Sequence, residues 1–116
     1  MSAKRPNRPR AKRHGSAPVL FAALGDKTRL ALVTKLCGGE LRSISDLTQG
    51  SRLTRQAVTK HLRVLQKAGL VRCSRRGRES LFAQDPEPVR ELEDYLNSVS
   101  RQWDEALGRL KAFVEK

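Results

Sequence analysis

The clearest pattern of hydrophobic and polar positions lies in the segment 53–71. Its apolar residues recur at the offsets of one helical face, namely Ala57, Val58, Leu62 and Leu65. The opposite face carries hydrogen-bond donors, which are Arg55, Gln56, Thr59, Lys60, Arg63 and Lys67. Thr54 suits an N-cap and Gly69 suits the left-handed residue that ends a helix. We therefore predict an amphipathic helix from Thr54 to Ala68.

A helix with an apolar back and a face of donors has the size and chemistry that the major groove of DNA admits. The alternative is an ordinary surface helix whose basic face is only solvated. The neighbouring segments bear on this choice.

Two apolar segments upstream predict two further helices. The first covers Pro18–Leu24 and ends at Gly25. The second is capped by Asp26 or Thr28 and extends to about Cys37. Its predicted core face comprises Leu30, Leu32 or Val33, and Leu36.

A third short helix precedes the 54–68 helix. Ser43 caps it, and Asp46 lies near its positive end, where a carboxylate is favourable. Residues 50–52 then form the turn into the 54–68 helix. Two short helices joined by such a turn are typical of a helix-turn-helix motif.

A β-hairpin follows the motif. Residues 70–74 and 80–84 read as two strands, and residues 75–79 read as the turn between them. The turn carries Arg75, Arg76 and Arg78. An arginine-rich hairpin directly behind a helix-turn-helix predicts a wing.

A long helix is predicted from Pro86 or Pro88 to the end of the chain, because proline is tolerated in a first helical turn. Its apolar stripe comprises Leu92, Tyr95, Leu96, Val99, Trp103, Leu107, Leu110, Phe113 and Val114. The preceding part of the chain is too small to cover all of it. We expect packing within one chain over 92–99 and contact with a second copy over 103–114, which predicts a homodimer.

Charge narrows the choice of partner. The 116 residues suit a single domain, and 24 Lys and Arg against 12 Asp and Glu give a net charge of +12. Residues 16–85 carry a net charge of +8, whereas residues 86–116 carry −2. This distribution predicts a polyanion on the basic part and a different partner on the last segment.

Residues 1–16 are predicted to be a disordered basic arm that follows phosphates or enters a minor groove, or else a solubilising tail. The chain has no run of about 18 apolar residues and no signal-peptide pattern, so we expect a cytoplasmic, nucleoid-associated protein without membrane contact. Two cysteines, Cys37 and Cys73, make no disulfide framework, which fits a reducing compartment.

Over about residues 19–115 the chain resembles winged-helix repressors of the ArsR family. The resemblance rests on segments 21–33 and 57–71, the R-x-G-R of the wing, and segment 103–115, which is similar to a subgroup of metal-independent repressors. It implies a mostly helical winged helix-turn-helix fold of order α–α–α–α–β–β–α with a small β-hairpin. It also implies a homodimer that binds an operator in double-stranded DNA and blocks transcription until a signal arrives.

The resemblance also implies roles for individual residues. The recognition-helix set is Thr54, Arg55, Gln56, Thr59, Lys60, His61 and Arg63. The wing and backbone set is Arg52, Lys67, Arg75, Arg76 and Arg78. The dimer interface, formed by the first and last helices, would comprise Val19, Leu20, Phe21, Leu24, Leu96, Val99, Trp103, Leu107, Leu110, Phe113 and Val114. His61 is expected to pack or to contact phosphate, not to bind a metal.

The chain departs from the metal-sensing members of that family. Ser43 and Ser45 stand where those members have cysteines, and hydroxyl groups do not replace thiolates for soft metals. Both histidines, His14 and His61, lie outside the last helix, where zinc-binding members place ligands. We therefore predict no metal and no other cofactor. The sequence names no inducer.

Two other functions remain open from the sequence. A non-specific architectural nucleic-acid-binding protein would explain the basic arm and the charge, but it does not need polar readers such as Gln56 and Thr59. A thiol-redox-responsive repressor would use Cys37 and Cys73. An enzyme is not predicted, because no nucleophile–base pair or phosphate loop is evident.

Overall fold

A computed structural model describes residues 14–115, which form five helices and three strands. In chain order these are α1 (Ala17–Leu24), α2 (Lys27–Lys35), β1 (Arg42–Ser43), α3 (Ile44–Thr48), α4 (Arg55–Ala68), β2 (Val71–Arg76), β3 (Glu79–Gln84) and α5 (Pro86–Val114). The winged helix-turn-helix order is confirmed, with one short strand added between α2 and α3.

Side-chain caps determine where α2 and α3 begin. The Asp26 carboxylate accepts hydrogen bonds from the backbone N–H groups of Thr28 and Arg29, at 2.8 and 3.0 Å. Ser43 Oγ accepts from the Asp46 N–H, and Asp46 Oδ2 accepts from the Ser43 N–H, both at 3.1 Å. These caps pair N–H groups that helix geometry leaves without partners. The predicted cap at Ser43 is confirmed, and Asp26 caps α2.

The helix α4 begins and ends where its sequence predicts. Thr54 Oγ1 accepts from the Ala57 N–H at 3.0 Å. At the other end Gly69 has a φ of +89°, a left-handed conformation that glycine adopts without a steric penalty. The Leu70 N–H then donates to the Leu65 carbonyl at 2.9 Å, so the chain leaves the helix directly into β2.

The three strands form an antiparallel sheet in the order β1–β3–β2. Arg76 pairs with Glu79, so only Gly77 and Arg78 remain in the hairpin turn, and Gly77 has a φ of +64°. The predicted five-residue turn was wrong, because a two-residue turn matches the twist of the strands and leaves Arg75 within β2. The strand β1 was not predicted, since two residues are too few to show an alternating pattern.

The hydrophobic core lies between the helices and the inner face of the sheet. Its buried residues are Leu20, Ala23, Leu32, Val33, Leu36, Leu47, Val58, Leu62, Leu65, Ala68, Leu70, Val71, Phe82 and Leu92. The prediction that Leu30 belongs to this core was wrong: its side of α2 faces outward, and Leu30 is 50% exposed. Cys37, to which α2 was expected to extend, lies beyond the end of that helix and is exposed.

The helix α5 leaves the core after its second turn. Pro88 and Leu92 are its buried residues, and Tyr95 and Leu96 are already half-exposed. Complete burial within the chain therefore ends at Leu92, and beyond it the predicted cover up to residue 99 is only partial, with Val99 half-buried. The Tyr95 ring lies 5.9 Å from the Phe21 ring of α1. Within residues 14–115, no helix combines the length and the apolar character of a membrane span.

The residues before α1 pack against the domain. The His14 side chain is buried, and its Nε2 lies 3.4 Å from Glu91 Oε1 of α5. The Gly15 N–H donates to the Ala68 carbonyl at 2.9 Å. The predicted disordered arm of 1–16 was therefore too long by residues 14–16, since His14 and Gly15 make these contacts and Ser16 is the N-cap residue of α1. The remainder of the predicted arm, residues 1–13, lies outside the described residues.

Candidate nucleic-acid interface

One side of α4 forms an exposed polar surface, which we call the reading face. Its five side chains line a shallow groove of about 340 Å³ and are Arg55, Gln56, Thr59, Lys60 and Arg63. The structure thus brings together five of the seven residues predicted on this helix. They lie together because their spacing places them within one arc of the helix, opposite the buried positions Val58, Leu62 and Leu65.

The cations of the reading face lie apart from the acidic side chains that the structure describes. Arg55, Lys60 and Arg63 make no ion pair with any residue of the described part of the chain. Their charge is therefore not neutralised internally, and the positive field points outward. Such a surface attracts a polyanion.

The two threonines of the predicted set use their hydroxyl groups within α4. Thr54 caps the helix, and Thr59 Oγ1 donates to the Arg55 carbonyl at 2.7 Å. The Thr59 hydroxyl proton is therefore engaged within the helix. The methyl group of a threonine suits contact with the thymine methyl in a major groove.

His61 lies away from the reading face. It is half-buried on the side of α4 that faces α2, where its Nδ1 is 3.5 Å from Arg29 Nη1. The expected packing of His61 is therefore observed, and its contact with DNA phosphate stays a prediction. His61 lies four positions from both Ala57 and Leu65, which belong to the apolar face, so the helical period alone would have placed it there.

A cluster of Asp26, Arg29 and His61 stands behind the reading face. Arg29 Nε donates to the Ala23 carbonyl at 2.7 Å, and Arg29 Nη1 lies 4.0 Å from Asp26 Oδ2. The Arg29 N–H is the main cause that lowers the pKa of Asp26. Partial burial opposes this shift, while the Thr28 N–H and the charges of Arg29 and His61 add to it. The cluster joins α1, α2 and α4.

The arginines of the wing are exposed, but they do not form one cluster at its tip. Arg75 and Arg76 are successive residues of β2, so their side chains point to opposite faces of the hairpin, and Arg78 lies in the turn. Arg72 was missed by the sequence analysis. It is exposed on the same strand, and its Nε lies 3.4 Å from Asp85 Oδ2.

Two cations that we predict to contact the DNA backbone flank the reading face. Arg52 is exposed in the turn before α4. Lys67 is exposed in the last turn of α4, about 18 Å from Arg55 along the helix axis by the rise per residue. Lys67 also borders an apolar groove that includes Val19 and Val64. Neither cation belongs to the reading face itself.

Ser45 was also missed as a site residue. Its Oγ accepts a hydrogen bond from Arg55 Nη1 at 2.8 Å. The two residues are ten positions apart on different helices, and their contact depends on how α3 packs against α4. No signal in the sequence could have paired them.

The residues predicted at a dimer interface fall into two groups. We call the exposed residues of α5 the α5 stripe; they are Leu96, Trp103, Leu107, Leu110, Phe113 and Val114, each more than half-exposed. Val99 is half-buried beside them, and in α1 the side chains of Val19, Phe21 and Leu24 reach the surface in part. Leu20 is different: it is fully buried in the core of its own chain, so its placement at an interface was wrong.

No cysteine lies among the five residues that line the reading face. Within residues 14–115, no group of three or more His, Cys, Asp or Glu side chains is arranged to hold a metal ion. Cys37 lies in the loop after α2, and Cys73 is half-buried in β2, opposite Phe82. The redox hypothesis stays a prediction.

Comparison with known proteins agrees with this geometry. A family model described as a helix-turn-helix domain matches residues 24–74. The chain is 34% identical over 85 residues to the HTH-type transcriptional regulator YuzN of Bacillus subtilis, covering 68% of this chain and 92% of that protein. It superimposes on an ArsR-like transcriptional regulator from Rhodococcus sp. RHA1 with a TM-score of 0.74 and 33% identity, over 84% of this chain and 89% of that one.

The chain belongs to the ArsR family of winged helix-turn-helix transcriptional regulators. This ArsR-family regulator also shares its fold with Mb0332 of Mycobacterium bovis, whose homodimeric winged helix-turn-helix DNA-binding domain is 21% identical, with a TM-score of 0.58 over 73% of this chain and 78% of that one. The predicted family is confirmed. The protein is a transcriptional regulator, and its helix-turn-helix is a DNA-binding domain.

Proposed function

We propose that this ArsR-family regulator is a homodimeric repressor that reads an inverted-repeat operator with its reading face. The observation that carries the proposal is that α4 exposes polar readers, together with cations that make no ion pair within residues 14–115. Arg55 or Lys60 donates to guanine O6 and N7. Gln56 donates to adenine N7 and accepts from N6. Each such pair discriminates against a wrong base by about 1–3 kcal/mol.

The remaining cations position the protein on the duplex. In this proposal Arg52 and Lys67 bind phosphates beside the recognition helix, and the wing arginines bind the flanking backbone or minor groove. Contacts of this kind fix orientation without reading sequence. The basic segment 1–13 adds further phosphate contacts.

A second copy of the chain covers the α5 stripe. The stripe exposes six large apolar residues over 19 positions, and a contiguous apolar patch of this kind marks an interaction site on a soluble protein. The exposed residues of α1, Val19 and Phe21, extend the interface. Two-fold symmetry then presents two reading faces to one duplex, with half-sites about 34–36 Å apart.

Occupation of an operator by such a dimer excludes RNA polymerase when the operator overlaps a promoter. The proposed site of action is therefore the nucleoid in the cytoplasm. In vitro transcription from a promoter that contains the selected operator is expected to decrease when the regulator is added. An increase in transcript would contradict repression.

Selection of binding sites from random duplexes tests the sequence reading. We expect an inverted repeat, and we expect Gln56→Ala to lose the preference at one base pair of each half-site. Asn97→Ala, which removes an exposed amide from α5, is the matched control and should retain the full motif. Selection of no motif would favour the non-specific architectural protein.

The salt dependence of DNA binding tests the proposed phosphate contacts, and the molecular mass in solution tests the proposed homodimer. If the dimer makes about 8–10 phosphate contacts, log K falls with log salt with a slope of roughly −7 to −9. Light scattering at micromolar concentration should give twice the 13.0 kDa mass of the chain. A slope near zero would contradict the electrostatic contacts, and a monomer would contradict the paired reading faces.

A further inference from the structure

Ser45 lies in α3, outside the reading face, and contacts its first residue. The Ser45 Oγ accepts from Arg55 Nη1 at 2.8 Å, and both residues are exposed. In the part of the chain that the structure describes, no other side-chain hydrogen bond joins α3 to α4. The contact is therefore a specific link between the two helices of the helix-turn-helix.

Ser45 is itself held firmly. The reciprocal hydrogen bonds between Ser43 and Asp46 cap the helix that carries it. Thr48 Oγ1 donates to the Ser45 carbonyl at 3.0 Å, and Leu47 of the same helix is buried in the core. The backbone that carries the Ser45 hydroxyl is therefore anchored to the domain.

Arg55 offers the complementary geometry. Its carbonyl accepts from Thr59 Oγ1, and its guanidinium uses Nη1 for Ser45. Among the described residues, Nε and Nη2 of Arg55 have no hydrogen-bond partner. The guanidinium is planar with donors in a fixed fork, so holding one nitrogen orients the other two. The free Nε–Nη2 edge can donate to two acceptors at once, as guanine O6 and N7 require.

The link also acts before DNA is bound. A free arginine side chain samples many rotamers, and ordering it at an interface opposes binding. A hydrogen bond that already restricts the side chain in the free protein reduces this loss.

We infer that Ser45 is a positioning residue for base recognition: its hydroxyl holds Arg55 so that the Nε–Nη2 edge reads guanine. The inference rests on the proposed function, in which the reading face enters the major groove. It also assigns a role to position 45, where the metal-sensing members of the family have a cysteine and this chain has a serine. Ser45 does not contact the base in this proposal, and it acts through Arg55.

The test measures dissociation constants of three proteins: wild type, Ser45→Ala and Ser45→Thr. Each is titrated with the selected operator and with operators in which the preferred guanine pair is replaced. We expect Ser45→Ala to weaken binding to the selected operator by roughly three- to tenfold, the range of one net hydrogen bond. Binding to the replaced operators should be nearly unchanged, so the preference for guanine falls by the same factor. Ser45→Thr, which keeps the hydroxyl, should restore it.

A double-mutant cycle separates positioning from a structural role. In an Arg55→Ala background, Ser45→Ala should have no further effect on affinity or preference, because the residue through which it acts is missing. Thermal unfolding of Ser45→Ala should match that of the wild type.

Several outcomes would overturn the inference: equal loss on every duplex, the same loss without Arg55, tighter binding by Ser45→Ala, or no change at all. If the wild type reads guanine through Arg55 and Ser45→Ala reads it equally well, the inference fails and the proposed function stands. If the wild type prefers no sequence, both fail.

Discussion

The two longest helices carry the same kind of hydrophobic pattern, yet only one of them is covered by its own chain. In α4 the apolar residues Val58, Leu62 and Leu65 are fully buried. In α5 the stripe repeats at three and four residues in the same way, but every large apolar residue from Trp103 onward is more than half-exposed. The helix α4 packs against α1, α2, α3 and β2, whereas the main contact of α5 is α1.

The comparison shows that helical period identifies an apolar face without identifying what covers it. The two regions that contain these helices also differ in charge. The region 16–85 has a net charge of +8, and the cations of its reading face make no ion pair with any described residue, while the segment 86–116 has a net charge of −2. A basic exposed face suits DNA, and an apolar exposed face on a mildly acidic helix suits a second copy of the chain. The following predictions test this division.

The largest effect is expected in the buried face of α4. Leu62→Ala should lower the free energy of unfolding by about 2–5 kcal/mol, because it leaves a cavity in the core. Leu107→Ala in the α5 stripe should change stability only to the extent that it weakens the dimer. Urea unfolding at two protein concentrations distinguishes the two, since only the loss in Leu107→Ala should depend on concentration. A concentration-independent loss of similar size in both variants would contradict the comparison.

A charge within the α5 stripe should separate the dimer. Leu107→Glu buries a carboxylate at the proposed interface, a cost on the order of 2–4 kcal/mol, or about 30- to 1,000-fold in the dimer dissociation constant. Light scattering should then show the 13.0 kDa monomer, and affinity for a two-half-site operator should decrease. Asn97→Glu adds the same charge at an exposed polar position and should leave the dimer intact. Dissociation by both variants would point to net charge, not to the stripe.

A smaller effect is expected at the beginning of α4. Thr54→Ala should lower stability by about 1 kcal/mol even without DNA, because it removes the acceptor of the Ala57 N–H. Thr54→Ser keeps the hydroxyl and should recover most of this loss. Thermal unfolding of the free protein checks it. Unchanged stability together with weaker DNA binding would mean that Thr54 is a DNA contact and not a cap.

The smallest effect is expected from the titration of Asp26 behind the reading face. The hydrogen bond from the Arg29 N–H lowers the pKa of Asp26, so the folded protein binds fewer protons there than the unfolded chain does. The ionised Asp26 carboxylate stabilises the fold fully at a pH above the ordinary pKa of an aspartate. This stabilisation is lost as the pH falls through the lowered pKa. Asp26→Asn keeps the cap but does not titrate, so its stability should decline less steeply in acid. Equal slopes of stability against pH for the wild type and Asp26→Asn would show that the titration of Asp26 does not contribute to stability.

Much of the local structure follows from the sequence alone. The caps at Ser43 and Thr54 and the left-handed end at Gly69 depend on groups within a few residues of one another, so the printed sequence contains the whole cause. The reading face follows for the same reason, because residues on one helix share an arc by their spacing. The family also follows, since its motifs lie in continuous segments that comparison confirms.

Only the tertiary structure decided which faces meet. It placed Leu30 outside the core, turned His61 toward α2, buried Leu20 in its own chain and ended the complete burial of α5 at Leu92. It also brought Ser45 to Arg55. Each of these depends on the angle and distance at which two elements pack, and the pattern within either element does not contain that information. The sequence thus determined the faces of this regulator, and the packing of its helices determined their neighbours.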